Sequence, residues 1–217
     1  MEFDDVLRTT GATRQFTDDP LPDHILARIL DTARFAPSGG NRQGNRVVVV
    51  RSPDTKQALA ELSAPGLRRY AAQQRNGENP WNPLHPPGVS AAEIAAVEVP
   101  PGGPLVEAPV VLVICVDLGV VAALDQDLDR IGVVAGASVY PFAWSILLAA
   151  RNEGYGGVLT TMAIPQEPMI KELLAIPERF AVAAVVPLGR PVRQVRKLTR
   201  KSVAEIATRE RFDGPAF

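Results

Sequence analysis

Between Ala36 and Arg46 the chain reads Ala-Pro-Ser-Gly-Gly-Asn-Arg-Gln-Gly-Asn-Arg. Ser38, Asn41 and Gln43 supply short hydrogen-bonding groups. Gly39, Gly40 and Gly44 let backbone N–H groups approach a ligand with no Cβ in the way. Such a loop suits the grip of a flat ligand with a polar edge. Loops collect the same residues simply for turning, so composition alone leaves a plain helix-to-strand turn open.

Reactive side chains are otherwise scarce. His24, His85 and the single Cys115 lie far apart in the sequence, which does not favour a zinc site. There is no Gly-x-x-x-x-Gly-Lys-Ser/Thr, no Gly-x-Gly-x-x-Gly leading from a strand into a helix, and no Gly-x-Ser-x-Gly. Difficult chemistry is then expected from a bound cofactor. Residues 76–105 carry seven prolines, Pro101 among them, and four glycines. A stretch of that length and composition reads as a lid or excursion. Trp81 within it either stacks on a flat ligand or pins the loop by burial, and the pin is the favoured expectation. The tail turns basic at Arg190, Arg193, Arg196, Lys197, Arg200 and Lys201. It forms a solvated face or carries a side chain that reaches a phosphate.

The elements that must position these groups follow from periodicity. The 217 residues, 46% hydrophobic and 22% charged with net charge −1, suit one large globular domain. That balance gives no electrostatic case for nucleic acid or an anionic membrane. A short helix over 2–10 is expected to turn Phe3, Val6 and Leu7 to one side. Ile25, Leu26, Ile29, Leu30 and Ala33 repeat at helical spacing. Residues 47–50 read as a buried strand, as do 109–116 and 180–186. Ser52-Pro53 opens another helix, whose pattern weakens near Pro65-Gly66. The segment 90–97 suggests a short helix, and 158–161 a short strand. A helix over 168–175 is expected to direct Met169, Ile170, Leu173 and Leu174 inward.

Residues 131–150 carry no formal charge and reach the length of a membrane span. Gly132, Gly136, Ser138, Pro141 and Ser145, with no second span, favour a buried helix over 130–152 instead. Pro141 is expected to kink it, and Gly132 and Gly136 to share one face. The mixed order of helices and strands gives an α+β class. The lone cysteine and an acidic start without an apolar leader point to a cytoplasmic protein.

Four stretches together resemble the FMN-dependent nitroreductase family, over nearly the whole chain. They are Thr13-Arg14-Gln15-Phe16; Ala36-Pro37-Ser38-Gly39-Gly40-Asn41-Arg42-Gln43; the helix exit from Ala149 to Gly157; and Pro187-Leu188-Gly189-Arg190-Pro191 with Arg200-Lys201-Ser202-Val203-Ala204-Glu205. The Leu159-Thr160-Thr161 variant is similar to an actinobacterial branch. The resemblance implies a mainly antiparallel sheet flanked by helices in an intertwined homodimer, with two FMN sites at the interface. Carried over by position, Arg14, next to Gln15, and Arg200 would hold the FMN phosphate. Pro37, Ser38, Gly39 and Asn41 would line the flavin ring and ribityl chain. Leu159, Thr160 and Thr161 would lie along the isoalloxazine, with a backbone N–H near its N5.

The implied activity is electron transfer from NADH or NADPH to nitroaromatic or quinone-like acceptors by a ping-pong route. A flavin-consuming or dehalogenating enzyme of the same fold, or a flavin-binding module without turnover, are the alternatives. Two departures stand out. Thr10, Gly11 and Ala12 occupy places where the family carries an additional Arg or His and a Ser. Gly44-Asn45 replaces its Pro-Trp.

Overall fold

The computed structural model describes residues 1–100 and 102–217, so Pro101 of the lid lies outside the described residues. Helix α1 (Phe3–Thr9) places Asp4 and Asp5 in its first turn, where acidic groups complement the helix dipole. Of its apolar residues only Val6 is buried. Phe3 is exposed. Helix α2 (Asp23–Ala33) buries Leu26, Ile29 and Ala33 at helical spacing. Strand β1 (Asn45–Val50) follows the glycine-rich loop. Ser52 then caps α3 (Pro53–Arg75), its hydroxyl accepting from the Thr55 N–H at 3.4 Å. This helix runs on through Pro65 to a length of 23 residues.

A short helix, α4 (Ala91–Ala95), lies in the lid stretch, and another, α5 (Pro104–Glu107), begins at its end. Ser90 and Glu93 close a reciprocal cap on α4. Strand β2 (Val110–Asp117), helix α6 (Tyr140–Asn152), strand β3 (Gly156–Gly157), helix α7 (Glu167–Leu174), strand β4 (Phe180–Gly189) and helix α8 (Val203–Ile206) complete the order.

The four strands pair antiparallel in the order β1-β2-β4-β3. Strand β2 is central and covered on both faces. Leu112 and Ile114 pack with Ile29 and Ile146, on the side of α2 and α6. Val111, Val113 and Cys115 pack with Leu59 and Ile170, on the side of α3 and α7. Burial on both faces is why β2 reads as an unbroken apolar run. Cys115 is 1% exposed, and burial pushes its thiol up to about 11.

Several expectations are corrected here. Strand β1 is an edge strand, so Val49 is exposed rather than buried. In α7 only Ile170 is fully buried, with Leu174 packed against the core. Met169 and Leu173 face outward because one turn of so short a helix meets the sheet. The long helix over 130–152 is shorter than expected. A 3-10 turn, Val134–Ser138, precedes α6, so Gly132 and Gly136 do not share a helical face. Pro141 falls in the first turn of α6, where its missing N–H costs nothing and no kink is needed. Among the described residues no helix is long and apolar enough to cross a membrane.

Candidate functional site

Arg14 sits on an extended segment that adds to the open edge of the sheet. The Thr13 N–H donates to the Gly157 carbonyl at 2.9 Å, and the Thr17 N–H to the Arg190 carbonyl at 2.9 Å. Phe16, bridged to Pro191, anchors the segment in the core. Gly156 is required here, since a Cβ would run into the Thr13 hydroxyl.

Beyond β3 the chain bridges to β4 once more, at Thr160. Its N–H donates to the Val185 carbonyl at 3.0 Å and its carbonyl accepts from the Val185 N–H at 2.9 Å. Alternation along an antiparallel pair turns the flanking N–H groups the other way. Those of Leu159 and Thr161 donate to no protein acceptor among the described residues. They are free donors on a sheet edge.

Arg14, Leu159, Thr160 and Thr161 line one cavity of about 360 Å³. Its opposite wall is α3, through Ala60, Ser63, Leu67 and Tyr70, and α5 closes one end with Pro104 and Leu105. Helix α3 approaches the segment so closely that a Cβ on Gly66 would overlap the Met162 carbonyl oxygen. The α3 wall was not anticipated from the sequence. Its one signal is the interruption at Pro65-Gly66, which marks that approach.

The glycine-rich loop lies elsewhere. Gly39–Asn41 forms a 3-10 turn. Gly40, Asn41 and Gln43 all have positive φ, of 60°, 52° and 51°. For the non-glycine Asn41 and Gln43 that is sparsely populated backbone of the kind seen at functional sites. The Ser38 hydroxyl accepts from the Gln43 N–H at 2.9 Å, and the Gly39 N–H donates to the Ser138 hydroxyl at 3.1 Å. Pro37, Gly39 and Asn41 are exposed. Gln43 lines a separate cavity of about 440 Å³ with Arg34, Phe142 and Asn45, whose buried Oδ1 lacks a partner among the described residues. That cavity shares no lining residue with the one at Arg14. Within one chain, therefore, the loop and Arg14 do not form one site.

Like Pro37, Ser38, Gly39 and Asn41, the candidates Gln15 and Arg200 line neither cavity. Gln15 uses its carbonyl to accept from the Val192 N–H at 3.2 Å. Arg200 is exposed and donates to the carbonyl of its neighbour Thr199. The place of the missing basic residue is also filled. A Cβ at Gly11 would meet the Val195 side chain at 3.0 Å, and Gln194 donates to the Thr9 carbonyl.

The loop's support traces back to Asp125. This carboxylate is buried and accepts from the Val133 N–H at 2.7 Å and from Arg130 at 2.8 Å. Those bonds hold the turn that carries Ser138, and hence Gly39. The Val133 N–H first, and Arg130 next, pull the carboxyl down to about 2. Its folded value lies below its unfolded one. The stabilisation is therefore present above about pH 4 and is lost as the pH falls towards 2. Thermal melts of wild type and Asp125→Asn across this window check it. The variant is less stable at neutral pH and loses less on acidification.

The fold has counterparts among known proteins. A family model described as the nitroreductase family matches residues 7–190. The chain belongs to the nitroreductase family. A protein of Thermus thermophilus named NADH dehydrogenase is 28% identical over 193 residues, covering 83% of this chain and 82% of its own. Iodotyrosine deiodinase bound to FMN and 3-iodo-L-tyrosine superposes with TM-score 0.67 at 21% identity, covering 93% of this nitroreductase chain and 96% of its own. The NADPH:FMN oxidoreductase of Vibrio harveyi complexed with NAD+ gives TM-score 0.67 at 19% identity, covering 96% and 76%. These likenesses establish the α+β nitroreductase fold, as the sequence led one to expect.

Proposed function

We propose that this nitroreductase binds FMN in the cavity at Arg14 and passes electrons from NADH or NADPH to nitroaromatic or quinone-like acceptors. The observation that carries the reading is the convergence of one guanidinium and two unused backbone donors on a single apolar-walled cavity. That donor set suits the acceptor-rich edge of an isoalloxazine, and the mostly apolar walls suit its faces. Bound FMN supplies a ring that takes hydride from a nicotinamide and gives electrons to a second molecule.

The chain's own groups have separable tasks. The Thr161 and Leu159 N–H groups donate to the ring edge, fixed beforehand by the Thr160–Val185 bridge. Arg14 presents its planar fork to an anionic or carbonyl oxygen. Leu67, Tyr70 and Met162 exclude water from the faces. One cavity that serves donor and acceptor in turn gives ping-pong kinetics.

A second copy of the chain completes the site in this reading. Pro37, Ser38, Gly39 and Asn41 do not line their own chain's Arg14 cavity, and in this reading the partner's copy of the loop closes it. Exposed Leu118, Leu124, Leu128, Ile131 and Val133 follow one another in the segment that carries Ser138. So many apolar side chains in one exposed segment suit an interface between copies. The likeness to iodotyrosine deiodinase makes reductive dehalogenation the second reading.

An absorbance spectrum of the purified, FMN-reconstituted protein tests the proposal. Flavin is retained, is bleached by anaerobic NADH or NADPH, and regains its colour on addition of a nitroarene. Protein that stays colourless after reconstitution overturns it. Recovery of colour with iodotyrosine alone favours the second reading.

A further inference from the structure

A cleft of about 640 Å³ lies between the C-terminal half of α3 and the lid segment that follows α4. Arg68 and Arg75 of α3 line it, facing Val97, Glu98, Val99 and Pro100 of the lid. Val97 is buried and packs with Ala72 of α3 and with Val89, which holds the lid side in place. The cleft begins where the Arg14 cavity ends. On α3, Leu67 lines the cavity and Arg68 the cleft. On the lid, Gly102 lines the cavity and Pro100 the cleft.

The arginines of this half of α3 are employed differently. Arg69 is committed to Trp81. Its guanidinium lies 3.8 Å from the centre of the indole ring, and the Trp81 backbone N–H donates to Oε1 of the buried Gln73 at 3.1 Å. Those contacts pin the lid. Arg68 and Arg75 have no such task. Among the described residues neither forms an ion pair, not even with Glu98 across the same cleft. Arg75 stands in the last turn of α3, where a cation complements the helix dipole. Arg68 lies two turns earlier, beyond the reach of that effect. Seven residues apart, the two share one side of the helix, about 10 Å apart along its axis. Two guanidiniums against one carboxylate leave the cleft with an excess of positive charge.

We propose that this cleft binds the 2′-phosphate at the adenosine end of NADPH, so that Arg68 and Arg75 select NADPH over NADH as the electron donor. The proposal rests on the flavin reading of the adjoining cavity, where the nicotinamide end delivers hydride. A guanidinium fork matches phosphate oxygens bidentately, and an arginine is the group that accommodates a 2′-phosphate in dinucleotide sites. Glu98 accepts from the neighbouring ribose 3′-hydroxyl, and Val99 and Pro100 give the adenine an apolar ledge. NADH brings only a hydroxyl to the same place and leaves both guanidiniums without a counter-charge. The two arginines touch the far end of the donor and take no part in hydride transfer. They act on the KM for NADPH and not on kcat.

Two measurements test it. By calorimetry on flavin-free protein, adenosine 2′,5′-bisphosphate binds about tenfold more tightly than adenosine 5′-monophosphate. In the double variant Arg68→Ala, Arg75→Ala the two bind within about twofold of each other. Alanine suits a helix at both positions, so the double variant keeps its fold. In the FMN-loaded enzyme the KM for NADPH lies about tenfold below that for NADH. The double variant raises the first to the second and leaves the KM for NADH and both kcat values unmoved. Equal affinity for the two adenylates in wild type, inorganic phosphate bound as tightly as the bisphosphate, or a preference that survives in the double variant overturns the site. If the protein holds no FMN, the flavin reading fails, and the calorimetry still decides whether the cleft takes a 2′-phosphate.

Discussion

Gly66→Ala lowers the unfolding midpoint by about 2–12 °C and weakens binding in the Arg14 cavity. The cause is backbone against backbone. A methyl group at Gly66 would overlap the Met162 carbonyl oxygen, and no side-chain rotation relieves it. Either α3 moves away or the segment carrying Met162 does. Overpacking of this kind costs roughly 1–3 kcal/mol. In a chain of this length each kcal/mol shifts the midpoint by about 2–4 °C. The same displacement separates Ser63, Leu67 and Tyr70 from Leu159, Thr160 and Thr161, which are the two walls of the cavity. Thermal melts with and without FMN measure both effects. A variant that melts with wild type would mean that α3 and the segment are not locked together.

Arg14→Ala weakens FMN binding by about 10- to 100-fold and leaves the melting point of the flavin-free protein nearly unchanged. Hydrogen bonds involving a charged group contribute about 1.5–3 kcal/mol, which sets that range. Stability is spared because the segment is held by its backbone bonds and by Phe16, whereas among the described residues the Arg14 side chain makes no ion pair. Arg14→Lys recovers only part of the affinity, since an ammonium lacks the planar fork. Titration by flavin fluorescence gives the number. An affinity within twofold of wild type would remove Arg14 from the site.

What was legible in the sequence was whatever depends on nearest neighbours. Leu26, Ile29 and Ala33 announce α2 by their spacing, and the unbroken apolar run of β2 announces a strand covered on both faces. The exposure of Val49 was not legible, because an edge position is set by strand order and not by the strand's own residues. The late start of α6 was equally hidden. It follows from a carboxylate, Asp125, reaching eight residues forward to the Val133 N–H. In the candidate site, Arg14 and the run Leu159, Thr160, Thr161 were found by their motifs, and the structure brings them to one cavity. The α3 wall carried no motif, since Ala60, Ser63 and Leu67 look like the surface of any long helix. Motifs also selected Arg200, which the structure leaves outside that cavity.

The separation of the glycine-rich loop from the Arg14 cavity of its own chain has a genetic consequence. Under the proposed two-copy site, each chain lends its loop to one catalytic centre and its arginine to the other. A chain disabled at Arg14 and a chain disabled at Gly39 would each be dead as a homodimer. Co-expressed, they would pair into a heterodimer in which both lesions fall on the same centre and the other centre is whole. Two recessive defects in a single gene would then complement each other, and their failure to do so would place both halves of the site on one chain.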